Sequence, residues 1–394
     1  MLAYHFRLYP RRKEQEKLDV ALETCRQTYN YLLAGLDEKF TKNELQNYLL
    51  DLKVCYPRLN DVHSKVLQME NQKLFSNLAS LSALKKRGHK VGRLRFKGEN
   101  WFKTFTYNQS GFTLVHVKNK KGILSLSKIG DIPVKLHRKV EGTIKSITVK
   151  KSLGRWYCSI ITDAKPQITC GSGEVGLDVG IENYIFDSNG VSYSNPKHFD
   201  TYHEELKLAQ QSLSRKVKGS NSRKKARLKV AKIHEKIANT RDDFIHKLST
   251  KLIRENKFIA IEKLNIKMII ENSYNARNVA DASWGKLSRY LHYKAESAGS
   301  VVQDVDPAYT TRDCSFCKHR NNKLELSQRK FHCAKCNLEL PRDYNAALNI
   351  LACGKELAAM EIVSNAERLV QCDDTSMKSE APSFPDGVVH SPIV

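Results

Sequence analysis

Four cysteines, two in CSFC at 314–317 and two in CAKC at 333–336, stand at the spacing C-x2-C-x15-C-x2-C. No other feature narrows the local fold so far. Cys314, Cys317, Cys333 and Cys336 supply four thiolates for one tetrahedral zinc ion, each pair forming a knuckle and the chain between them a small hairpin. Four sulfurs leave no position open to water, so the single Zn²⁺ is expected to be structural. It would fold a ribbon of about 25 residues that buries too little surface to fold alone. The competing uses are two disulfides or a redox pair. MLAYHFRLYPRRKEQEK lacks the apolar core of a signal peptide, and the other six cysteines are scattered. No stretch approaches the roughly 18 apolar residues of a membrane span. Reduced thiols in a cytoplasmic protein are therefore expected, with no membrane partner. His319 and His332 lie nearby and are not needed as ligands.

The 394 residues suffice for two or three domains, and 66 Lys and Arg against 42 Asp and Glu give a net charge of +24. Such an excess favours polyanion partners, although net charge alone also serves solubility. Distribution separates the two readings. SRKVKGSNSRKKARLKVAK, residues 214–232, carries nine cations and no acid: Arg215, Lys216, Lys218, Arg223, Lys224, Lys225, Arg227, Lys229 and Lys232. A block like this repels itself unless a polyanion neutralises it, so phosphate contact is expected over a merely solvated helix face.

Periodicity divides the chain. A short strand ends at Pro10, and from about residue 13 Leu18, Ala21, Leu22, Cys25, Tyr29, Leu32, Leu33 and Leu36 form one stripe at helical spacing. A second helix covers about 60–86 and ends at KKRGHKVGR. From about 92 the pattern is that of strands, with a hairpin turn near Ser152–Gly154, and a compact β-barrel or sheet is expected. Arg93, Arg95, Lys97 and Lys103 alternate there with Phe96, Trp101, Phe102 and Phe105. This mixture suits a nucleic-acid surface, while alternation assigns about half of the aromatics to the core.

VGLDVG, residues 175–180, places Asp178 inside a run that otherwise reads as a buried strand. An unpaired buried carboxylate is costly. Glu262 follows the apolar FIAI, and Asp343 in PRDYNAALNIL stands where an apolar helix begins. Singly, these are a turn residue, a strand-end surface charge and an N-cap. Their order is more informative. A strand with Asp, a hairpin to a second and third strand, helices, a strand ending in Glu, then a helix opening with Asp is the layout of an RNase H-like fold. In that fold the three side chains converge, and two Mg²⁺ ions about 3.5–4 Å apart would make the cluster a phosphodiester-cleaving site.

VGLDVGIENYIFDSNG, SNPKHF, RDDFIHKLS, FIAIEKLNIK, WGKLSRYLHYKAESAG, DPAYTTRDCSFC, CAKC and RDYNAALNIL, in this order, resemble the motifs of the TnpB (OrfB) proteins of insertion sequences, as do FRLYPRRKEQEKL, YNYLL and RLRFKG. The resemblance implies an α/β fold: an RNase H-like (RuvC) nuclease interrupted by a zinc ribbon, plus an N-terminal β-barrel with a helical insertion. The barrel's first strand is then 1–12, the helical subdomain 13–91 and the remaining wedge-like strands 92–170. The nuclease would occupy 171–309 and 341–370 around a ribbon at 310–340, ahead of a disordered tail at 371–394. It further implies catalytic, magnesium-binding Asp178, Glu262 and Asp343, with Mn²⁺ able to replace Mg²⁺. The implied activity is RNA-guided cleavage of double-stranded DNA beside a short adjacent motif, with guide RNA from the end of the encoding element. One RuvC site would cut both strands, in a cytoplasmic, nucleoid-associated protein. The competing classes are a non-catalytic regulator of transposition and a guide-independent transposase of the same fold. Thr311 stands where the family usually has Ser, and Lys318 and Asn337 stand where it usually has Gly after each cysteine pair. Those two changes are expected to tighten the ribbon turns and leave the ligands intact.

Overall fold

The computed structural model describes residues 1–36, 41–117, 119–166, 168–272, 274–321 and 328–376. The chain forms two compact units, 1–166 and 167 onward.

In the first unit β1 (Leu2–Leu8) is followed by α1 (Arg12–Ala34), α2 (Lys42–Cys55), a 3-10 turn (Pro57–Asp61) and α3 (Ser64–Lys86). Six strands then complete one antiparallel sheet: β2 (Thr104–Asn108), β3 (Phe112–Val117), β4 (Lys121–Leu126), β5 (Gly130–Lys135), β6 (Ile144–Ser152) and β7 (Arg155–Thr162). The strand order is β2-β6-β7-β1-β5-β4-β3. β1 lies near the middle, paired along its whole length with β7, and buries Tyr4, Phe6 and Leu8. The α1 stripe packs on this core through Leu18, Ala21, Leu22, Cys25, Tyr29 and Leu32, while Leu33 and Leu36 are partly buried at its margin. α2, which periodicity did not single out, is opened by a capping box: Thr41 N–H donates to Glu44 Oε2 at 2.7 Å, and Glu44 N–H donates to Thr41 Oγ1 at 3.3 Å.

Two expectations change. The β-barrel is an open sheet, because β2 and β3 pair outward to β6 and β4 and no ladder joins them among the described residues. Only residues 109–111 separate these edges, turned by left-handed Gln109 (φ 65°) and Gly111 (φ 84°). A link that short spans at most about 14 Å, so the sheet curls towards closure and stops short of it. The strand pattern read from residue 92 begins only at Thr104. Residues 93–103 are irregular because Lys97 spends its peptide groups on α1: its N–H donates to Asn30 Oδ1 at 2.8 Å, and its carbonyl accepts from Arg26 and Asn30. The Ser152–Gly154 hairpin is present, turned by left-handed Leu153 and Gly154.

The second unit opens with β8 (Gly173–Val179), β9 (Asn183–Asp187) and β10 (Ser192–Ser194), then α4 (His198–Ser214) and α5 (Asn221–Glu255). β11 (Asn256–Glu262), α6 (Ile266–Asn272), α7 (Ala276–Ala282), α8 (Trp284–Ala298) and β12 (Val301–Val305) follow. The ribbon strands β13 (Lys330–His332) and β14 (Glu339–Pro341) lead into α9 (Arg342–Ser376). The sheet runs β10-β9-β8-β11-β12, antiparallel from β10 to β8 and parallel from β8 to β12. α9 lies directly on β8, where a side chain at Gly176 would strike the backbone of Ala347 and Leu351. α9 continues to Ser376, six residues into the segment expected to be a tail, and 377–394 lie outside the described residues.

Candidate active site and zinc-ribbon centre

β8 and β11 are parallel neighbours, with Leu177 opposite Ile261. The next residue on each strand is an acid, Asp178 and Glu262, so both leave the same end of the sheet. Asp343 arrives from another direction. β14 runs straight into α9, and Asp343 is the second residue of that helix, where free N–H groups favour negative charge. All three acids line one cleft of about 700 Å³, together with Gly180, Lys197, Asn278, Arg329 and Arg342.

Burial first, and then Glu262 and Asp343, push the Asp178 carboxyl well above the usual carboxylate range, with Arg342 opposing. Burial also raises Glu262, against the Thr310 hydroxyl that donates to its Oε1 at 2.7 Å. With Glu182 and Asp200, five acids line the cleft against three cations. Their oxygens suit a hard divalent cation.

The cysteines meet as their spacing requires. All four sulfurs lie within 4.8 Å of one another, with Cys314–Cys336 at 3.7 Å and Cys317–Cys333 at 3.5 Å. Zinc–sulfur bonds of about 2.3 Å in a tetrahedron put sulfurs about 3.8 Å apart, so this donor set fits Zn²⁺. The two knuckles share one backbone pattern. Lys318 N–H donates to Cys314 O and Asn337 N–H to Cys333 O, while Cys314 and Cys333 N–H donate to His319 and Leu338 carbonyls. Phe331, fully buried, packs beneath the sulfurs. His319 and His332 are outside the cluster. Cys25, Cys55, Cys158, Cys170 and Cys353 are free thiols.

Three residues that sequence reasoning passed over join ribbon to cleft. Asn345 and Asn349, four apart on α9, are 0% and 7% exposed. Asn345 Oδ1 accepts from Ser315 N–H at 2.9 Å and its Nδ2 donates to Asp313 O at 2.8 Å. Asn349 Nδ2 donates to the carbonyls of Asp313 (2.6 Å) and Thr310 (2.9 Å). Thr310, in turn, holds Glu262. A signal was present: two amides at i and i+4 among the buried apolar Ala346, Ala347 and Ile350. Arg329, from within the ribbon, also reaches the cleft and pairs with Glu182 at 2.6 Å.

The basic segment caps the α4–α5 hairpin. α4 starts beside the cleft at Lys197 and, at 1.5 Å per residue, carries the turn roughly 25 Å away. Eight of the nine cations are exposed there. Arg223 differs, because its guanidinium donates to the Leu213 and Lys216 carbonyls at 3.0 and 2.8 Å and so closes the end of α4.

Comparison with known proteins places these features in a lineage. A protein of Streptomyces pristinaespiralis named "Putative RNA-guided DNA endonuclease" is 30% identical over 373 residues, covering 91% of this chain and 90% of its own. The Escherichia coli K12 protein "Putative RNA-guided DNA endonuclease InsQ" is 29% identical, covering 94% and 96%. The chain belongs to the TnpB (OrfB) family. The OrfB family model described as "Probable transposase" matches residues 160–273 of this TnpB chain, which include Asp178 and Glu262. The "Cas12f1-like, TNB domain" matches 284–350, which include the four cysteines and Asp343. A "Helix-turn-helix domain" model matches 1–44, where the structure has β1, α1 and the start of α2. Among solved structures, a Cas12f1–sgRNA–target DNA complex shares the fold, with a TM-score of 0.58, 19% identity, and 86% and 82% of the two chains covered. Among the described residues no helix is long and apolar enough to cross a membrane.

Proposed function

We propose that this TnpB protein is an RNA-guided DNA endonuclease, and that the cleft between β8, β11 and α9 is its single catalytic site. The convergence of Asp178, Glu262 and Asp343 from three separate elements is the observation that carries the reading. Relatives named as RNA-guided DNA endonucleases match over nine-tenths of their length and support it. The three carboxylates would hold divalent cations, Mg²⁺ foremost. Two such ions about 3.5–4 Å apart are proposed, held by acids that come from three separate elements.

Bound cations supply Lewis-acid chemistry at the scissile phosphate. The chain's own residues do the rest. The sheet ends fix Asp178 and Glu262, Thr310 orients Glu262, and α9 brings Asp343 across from the ribbon side. Lys197, Arg329 and Arg342 line the same cleft and offer cationic contacts to the strand's phosphates. The guide RNA is proposed to come from the end of the encoding element, and the exposed α4–α5 cations to track phosphate.

The test is purification together with the native locus, sequencing of the bound RNA, and plasmid cleavage with and without chelator. A defined RNA and guide-matched, Mg²⁺-dependent cutting abolished by Asp178→Ala are expected. Cutting that ignores the guide sequence would instead identify a guide-independent transposase. Cutting unchanged by Asp178→Ala would remove the assigned site.

A further inference from the structure

We propose that the irregular segment 87–103 of the first unit is a base-stacking platform for single-stranded RNA, with Phe96 and Trp101 as its two rings. It concerns residues of the first unit, none of which lines the cleft, and rests on the proposed function only for RNA as a partner.

Four anchors make the segment a built surface. Leu94 and Phe102 pack against the core of the unit, and Asn30 and Arg26 of α1 hold the Lys97 peptide on both sides. Between these anchors the two largest side chains point outward: Phe96 is 64% exposed and Trp101 69%. Phe105, one residue into β2, is buried, so the chain separates its structural ring from its displayed ones. Exposing two rings on a pinned loop forgoes apolar burial, which a partner would recover.

Charge and geometry identify the partner. Residues 87–103 hold six Lys and Arg against one acid, Glu99. Lys97 Nζ lies 5.3 Å from the Trp101 ring centroid, while Arg93, Arg95 and Lys103 are exposed and have no ion-pair partner among the described residues. Rings flanked by cations match a strand whose bases stack while its phosphates are neutralised. Duplex readout in the major groove calls for a helix or a two-stranded ribbon, and this segment is neither. Duplex DNA also keeps its bases stacked until it is opened, whereas folded RNA presents unpaired bases in loops and ends at all times. A permanently displayed platform therefore fits RNA.

The chain contains its own probe. Of three tryptophans, Trp156 and Trp284 are 2% and 7% exposed, so solvent-facing emission comes from Trp101. Full-length protein is titrated with an unstructured 12-nucleotide RNA, the DNA strand of the same sequence, and a blunt duplex. Quenching of Trp101 by the RNA is expected, with little by the duplex at equal phosphate. Phe96→Ala and Trp101→Ala are each expected to weaken RNA binding by about 5- to 150-fold, with melting temperatures unchanged because both rings are exposed. Trp101→Phe should lose the signal and keep the affinity. Emission unchanged at saturating RNA, tighter binding of the DNA strand, equal quenching by duplex, or wild-type affinity in both alanine variants would overturn the proposal. None of these outcomes depends on cleavage, so a chain that quenches yet does not cut would defeat only the nuclease reading.

Discussion

Lys318 and Asn337 hold left-handed backbone, φ 58° each, where the two cysteine knuckles close. A Cβ in that region costs about 1–2 kcal/mol, less for Asn, whose short amide tolerates it. Glycine avoids the clash but loses roughly 0.5–1 kcal/mol through greater freedom in the unfolded chain. Lys318→Gly is therefore expected to stabilise the ribbon by about 0.5–1 kcal/mol, measured as slower zinc transfer to a chelator, and Asn337→Gly to change it less. The usual glycines of the family made a tight turn legible here, whereas the sign of φ came only from the fold. Arg223 makes the same point: by charge it equals its eight neighbours, and its two carbonyl contacts set it apart.

At the scale of elements, α3 and α9 each carry a polar group that packing has taken out of water. Burial pushes Glu70 on α3 up to about 7, against the Lys73 ammonium at 3.3 Å. The folded state then keeps a proton that the unfolded chain releases near pH 4.3, so stability falls as pH rises between those values and stays reduced above them. Glu70→Gln should match the wild type near pH 4.5 and exceed it by up to about 3 kcal/mol at pH 8, in paired thermal melts. On α9, Asn349→Ala would strand the carbonyl of Thr310, while that of Asp313 keeps its bond from Asn345, a loss of about 1–3 kcal/mol. If the proposed site is correct, cleavage should fall while zinc content, read by elemental analysis, stays at one per chain. Cys314→Ser should instead lose both zinc and cleavage. Cleavage that survives zinc loss would break the proposed link between ribbon and Asp343.

At the scale of the whole molecule, charge is distributed by task. Acids gather at the ends of β8 and β11 and the start of α9, and the exposed cations collect on the α4–α5 tip and on 87–103. Association with nucleic acid should consequently weaken steeply with salt. Reversing Lys224, Lys225 and Arg227 to Glu is expected to reduce the slope of log K against log[salt] by about 0.7 per lost contact to a single strand, with no change in melting temperature. Arg223→Ala should lower the melting temperature instead, because it opens the α4 terminus.

The chain order of CSFC, CAKC and the three acids, with its strand, turn and helix signals, already marked the four cysteines that meet and the three carboxylates that line one cleft. Those signals are local, since a knuckle, a hairpin turn and an apolar stripe are each set by residues a few positions apart. Tertiary structure alone decided the rest. Whether the first sheet closes depends on pairing between strands distant in sequence, and the outward display of Phe96 and Trp101 depends on a loop pinned by α1. Asn345 and Asn349 become links between the cysteine cluster and the acids only once α9 lies against the ribbon, because a buried amide takes its role from whichever carbonyls the fold delivers to it.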